Sequence, residues 1–101
     1  METLRDLAGR LDEAAVTLTA ATYEVARTGP APRAFGADAP GWPGELGRAL
    51  YEQWISATAA RSREAAVAAA RLADAATTLR VVAAGYDDTD EAARRRHAGE
   101  A

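Results

Sequence analysis

The 101 residues contain no cysteine and no lysine, and histidine, phenylalanine and methionine occur once each. Without cysteine there are no disulfides and no thiolate metal sites, and nothing to read about redox compartment. Without lysine, all twelve basic residues are arginine, set against fifteen acidic ones for a net charge of −3. Neither half of the chain is basic, and the only cationic cluster is Arg94, Arg95 and Arg96. Nucleic-acid binding needs clustered positive charge to displace counterions, so no nucleic-acid partner is expected. The single histidine, His97, leaves no general base beside a serine nucleophile. No Glu-x-x-His pair of the kind that holds metal in helical bundles is present either. We therefore expect no enzyme, no catalytic residues, no cofactor and no metal. The longest purely apolar run, Ala65–Ala70, is far short of the ~20 residues that span a bilayer, so no transmembrane segment is expected. The first residues, Met1-Glu2-Thr3-Leu4-Arg5-Asp6, lack the apolar stretch of a signal peptide. The expectation is synthesis in the cytoplasm and, if the protein leaves the cell, secretion without a cleaved signal peptide.

What the chain has in abundance is alanine, 28 residues of it, leaving 21 larger hydrophobic residues. Ordering the backbone costs roughly 1–2 kcal/mol per residue. Full burial of a large aliphatic side chain returns only about 1.5–3 kcal/mol. A self-sufficient core is therefore not expected. Alanine is the best helix former and a poor strand former, which excludes sandwiches, barrels and α/β sheets.

Periodicity then places the helices. Leu4, Leu7, Leu11, Ala14, Leu18, Ala21 and Val25 recur at steps of three and four, the spacing of a helix that presents one stripe to a neighbour. Thr28-Gly29-Pro30 supplies a stop, with Gly29 suited to a left-handed cap, so helix 1 is read over about 3–27. Residues 28–43 hold all four prolines and form the connection. Pro43, a favoured first helical residue, opens helix 2, read over about 44–96, with a frayed tail at 97–101. Its clearest seam is Ala65, Ala68, Leu72, Ala75, Leu79, Val82, Tyr86, Thr89 and Ala93. Around Thr58–Glu64 the seam is polar and its phase slips.

The lengths make a geometric argument. Pairing of the two seams leaves residues 44–60 projecting past helix 1, about 31 Å from residue 65 back to 44. Sixteen connecting residues reach roughly 50 Å when extended. The connection should therefore run back along the start of helix 2, anchored by a cluster of Phe35, Trp42, Leu46, Leu50, Trp54 and Ile55. Ala65–Ala70 is apolar on every side, more than one partner helix can cover. The fold class read from these patterns is all-α: a single antiparallel helical hairpin with a long Pro-rich connection, pairing with another hairpin into a four-helix bundle. The helix–helix and partner interface is assigned to Leu4, Leu7, Leu11, Leu18, Val25, Ala65, Ala68, Leu72, Leu79 and Val82.

Two short motifs remain. Trp42-Pro43-Gly44 sits in the connection, and Tyr86-Asp87-Asp88-Thr89-Asp90 lies near the C-terminus. In this order, on a helical hairpin of about 100 residues, they resemble the W-x-G family of small substrates of type VII (ESX) secretion systems. The long Pro-rich connection and the alanine content are closer to its divergent, EspC-like actinobacterial branch. The resemblance implies a turn motif at Trp42 and Gly44 and an export signal at Tyr86 and Asp90. It also implies a homodimer or heterodimer with another helical hairpin, and recognition by a secretion ATPase of the FtsK/SpoIIIE type. Tyr86 and Asp90, four residues apart, share one face if the helix is continuous. Gly85 could instead end helix 2, with Asp88 and Glu91 capping a further short helix. The unbroken seam phase through Tyr86 favours continuity. The acidic run Asp87, Asp88, Asp90 and Glu91 lacks the glycine and distant glutamate of a calcium loop. Two other roles stay open: a cytoplasmic adaptor shielding the helical leader of a larger toxin, and a plain dimerisation module without export.

Overall fold

The computed structural model describes residues 2–100, which form two long helices and no strand. α1 spans Glu2–Arg27, a 3-10 turn spans Pro32–Phe35, and α2 spans Gly41–Glu100. Among the described residues no helix is long and apolar enough to cross a membrane. The residues fall into two compact units, Met1–Thr17 with Ala68–Ala101, and Leu18–Val67.

In the first unit the start of α1 runs antiparallel to α2, as two ion pairs between the helices show. Arg5 Nη1 lies 2.7 Å from Asp87 Oδ2, and Arg80 Nη2 lies 2.6 Å from Asp12 Oδ2. The residues lost to solvent are alanines: Ala8 and Ala15 on α1, Ala76 and Ala83 on α2, each pair seven apart. A heptad of alanines lets two helices approach at the short end of the usual 8–10 Å. Leu4, Leu11, Leu72 and Leu79 flank them, half-buried. The expected seam is therefore half right. Leu4, Leu11, Leu72 and Leu79 are in it, whereas Leu7, Ala14, Ala68, Ala75 and Val82 are exposed beside it. The contact turns one residue further round each helix because alanine at 8, 15, 76 and 83 permits the closer approach.

In the second unit Leu18, Thr22 and Ala65 are half-buried, whereas Ala21 and Val25 are exposed. Along α2 a stripe of buried and half-buried positions runs 44, 47, 51, 54, 58, 62, 65 and on through 69, 72, 76, 79, 83 and 87. Two consecutive four-residue steps, 54 to 58 to 62, coincide with the expected phase slip, and a second such pair of steps runs 79 to 83 to 87. Such an insertion locally unwinds a heptad pattern. The threonines at the slip satisfy themselves: Thr58 Oγ1 donates to the Trp54 carbonyl and Thr22 Oγ1 to that of Leu18, both at 2.8 Å.

The connection runs back along α2. A Cβ on Gly29 would lie 2.5 Å from Cη2 of Trp54, so the ring lies against that backbone. The Phe35 ring centroid is 5.9 Å from Tyr51 and 6.5 Å from Trp54. Arg48 Nη1 donates to the Ala37 carbonyl at 2.8 Å. The carbonyls of Phe35 and Ala39 lie where side chains on Gly47 and Gly44 would stand. Chain order in the connection thus meets descending positions on α2, each about a turn apart. Gly36 and Gly41 have positive φ, 79° and 70°, and turn the chain into α2.

Three boundaries differ from the sequence reading. α2 opens at Gly41, because left-handed Gly41 starts it two residues before Pro43. Gly29 is not left-handed; α1 closes instead with Thr28, whose N–H and Oγ1 both donate to the Glu24 carbonyl at 3.0 and 2.7 Å. The tail expected to fray is helical through Glu100, and Ala101 lies outside the described residues.

Candidate functional site

Tyr86 and Asp90 lie on an uninterrupted stretch of α2. Gly85 is inside the helix, and Thr89 Oγ1 donates to its carbonyl at 2.9 Å. The alternative break at Gly85 is absent, so the ring and the carboxylate share a face one turn apart. Both are exposed, Tyr86 by 55%. The covered stripe passes through Ala83 and Asp87 and bypasses Tyr86, which corrects its place in the seam. Asp87, in the same acidic run, lies about 100° round the helix from Tyr86, is half-buried and pairs with Arg5.

Trp42 and Gly44 are in the first turn of α2, not in the connection as read from the sequence. They are two positions apart, which turns them about 200° from one another on a helix. Gly44 is buried beneath Ala39, and Trp42 is 69% exposed on the far side. Trp42 is therefore no part of the loop-anchoring cluster. Leu46, Leu50 and Ile55 flank the clamped stripe and are exposed as well. The cluster that forms is Phe35, Tyr51 and Trp54. Tyr51, which the sequence places beside Trp54 at the start of helix 2, was not read as part of the anchoring cluster, and the notch of Gly44 and Gly47 escaped the reading, although two glycines three apart on a helix were the available signal.

The first unit has two unlike edges. Positions 5 and 12 on α1 and 80 and 87 on α2 lie on one side of the alanine contact, where the two ion pairs close it. The opposite side carries Leu7 and Ala14 from α1 with Ala68, Ala75 and Val82 from α2, all exposed. Leu7 is 44% and Val82 41% exposed. Next to these, one row further out, stand Thr3, Arg10 and Thr17 on α1 and Arg71, Thr78 and Gly85 on α2. That face thus has an apolar centre and a rim that carries two arginines, with Asp6, Glu13 and Asp74 one row further out. Three residues of the expected interface that the helix pair leaves uncovered, Leu7, Ala68 and Val82, are gathered here.

In the second unit, Ala21, Thr22 and Val25 face Trp54, Ala57, Thr58 and Ala65 across an open apolar groove. Small side chains at the phase slip leave it unfilled. Compared with protein-family models, curated proteins and solved structures, the chain matches none.

Proposed function

We propose that the protein is a non-enzymatic helical hairpin that completes its core by pairing with a second hairpin into a four-helix bundle, and that it is exported by a type VII (ESX) secretion system. Support for the pairing rests on one observation: among the described residues no large side chain is fully buried, and the only fully or nearly covered hydrophobic residues are four alanines. So small a core does not offset the entropy of ordering the chain. A partner over Leu7, Ala14, Ala75 and Val82 would supply the missing burial at about 25 cal/mol per Å² of apolar surface removed from water. Support for export is the resemblance of the two motifs to W-x-G substrates, together with the exposed, shared face of Tyr86 and Asp90. An aromatic ring beside a carboxylate on a rigid helix is a surface that a secretion ATPase can read. The exposed Trp42 offers a second aromatic contact at the start of α2.

The test is export from a host with a working type VII machine. Tyr86→Ala and Asp90→Ala should each abolish appearance of the protein outside the cell, with helicity by circular dichroism unchanged. Undiminished export of both variants would reject the signal. Retention of the unaltered protein in the cell, bound to a toxin leader, would favour the adaptor role instead.

A further inference from the structure

The bundle reading leaves open whether the second hairpin is another copy of this chain, and the charges around the uncovered face answer that question. The inference rests on that reading and adds the chemistry of the partner. Arg10 follows Leu7 by three residues and precedes Ala14 by four. Arg71 stands in the same relation to Ala68 and Ala75. Each arginine therefore borders the apolar centre directly. The remaining rim positions, Thr3, Thr17, Thr78 and Gly85, are uncharged, and the nearest carboxylates, Asp6 and Glu13 beside Arg10 and Asp74 beside Arg71, stand one row further from the apolar centre. On the opposite edge the arginines are matched within the chain, Arg5 by Asp87 and Arg80 by Asp12. Arg10 and Arg71 form no ion pair among the described residues, and both are exposed.

A two-fold pair is self-complementary: the same patch meets itself. Two copies joined through this face would bring four arginines to rims whose own positions carry no carboxylate, and like charges in an interface oppose association. A hairpin with small apolar residues at its centre and Asp or Glu along its rim would meet each arginine with an opposite charge. Surface is available for it. The chain exposes 7515 Å², roughly 2,000 Å² more than the ~5,500 Å² usual for a monomeric protein of this mass. A standard interface takes about 800 Å² from each partner.

We infer that the face centred on Leu7, Ala14, Ala75 and Val82, rimmed by Arg10 and Arg71, docks a different helical hairpin whose own rim is acidic, in preference to a second copy of this chain.

The probe is a charge-reversed copy of the protein, Arg10→Glu with Arg71→Glu, mixed with the unaltered chain and examined by sedimentation equilibrium. The mixed pair should associate at least fivefold more tightly than the unaltered chain with itself, and the preference should shrink at 1 M salt as the charges are screened. Leu7→Glu in the unaltered chain should remove the mixed pair, whereas Val16→Glu, next to the ion-paired edge, should leave it. If the unaltered chain pairs with itself as tightly as with the probe, and Leu7→Glu abolishes that self-pairing, the acidic partner is overturned and the bundle stands. If no combination associates, both the acidic partner and the bundle are overturned.

Discussion

Arg80 reaches across from α2 to Asp12 on α1, with 2.6 Å between guanidinium nitrogen and carboxylate oxygen. This pair, repeated by Arg5 and Asp87, fixes which side of the first unit is closed by charge and leaves the other apolar. Both members of each pair are close to half exposed, so each contributes about 0.2–1 kcal/mol. Arg80→Ala should therefore lower unfolding free energy by no more than about 1 kcal/mol at low salt, and by less at 1 M salt. Urea titrations at the two salt concentrations check this. A loss of several kcal/mol would mean that the pair does more than orient the edge.

Ala76 and Ala75 are neighbours in sequence with opposite fates. Ala76 is fully buried in the helix contact, and Ala75 is exposed on the uncovered face. Ala76→Leu should destabilise the chain by about 1–3 kcal/mol through overpacking. Ala75→Leu should change stability by less than about 0.5 kcal/mol in the unassociated protein. Thermal unfolding of the two variants reports which residue sits in the contact, and the reverse ranking would shift the seam back by one position.

Gly47 holds its place because the Phe35 carbonyl occupies the space of a side chain. Gly47→Ala should push the connection off α2 and cost about 1–3 kcal/mol. Arg33 is in the 3-10 turn of that connection, so tryptic cleavage after it should accelerate in the variant. An unchanged cleavage rate would mean that the connection is not clamped there.

Gly85 meets no neighbour where a Cβ would stand, and it has helical neighbours on both sides. Gly85→Ala should raise stability by about 0.5–1 kcal/mol, since alanine loses less backbone entropy in a helix interior. A chain whose helix ended at Gly85 would instead lose stability. The same variant should retain export, because the face shared by Tyr86 and Asp90 is untouched.

Much of this fold was legible in the residues. Alanine content and the three-four spacing gave two helices, and the prolines marked the connection between them. The length mismatch gave its return path along α2, and the polar stretch after Thr58 gave the phase slip. The choice between Leu7 and Ala8, or Val82 and Ala83, was not legible. Hydrophobicity scales favour the larger residue for the contact, whereas close helix approach selects the smaller one. Trp42 misled for a related reason: bulk suggested burial, but its angle to Gly44 turns it outward. The ion pairs Arg5–Asp87 and Asp12–Arg80 needed the antiparallel register before they could be seen. For the site, Tyr86 and Asp90 were legible as a pair, whereas the apolar face came into view only as what the alanine contact leaves uncovered.

The central claim is that this face is covered when the protein is assembled, and the absence of cysteine makes it directly measurable. A single thiol can be placed at Ala75, on the uncovered face, or at Ala70, on the other side of α2, both exposed in the structure. Alkylation rates are then compared for the dilute chain and for the chain mixed with its charge-reversed copy at a concentration that saturates pairing. Alkylation of the Ala75→Cys variant should slow at least tenfold on assembly while that of Ala70→Cys stays within twofold. Equal rates at the two positions, assembled and dilute, would contradict the claim.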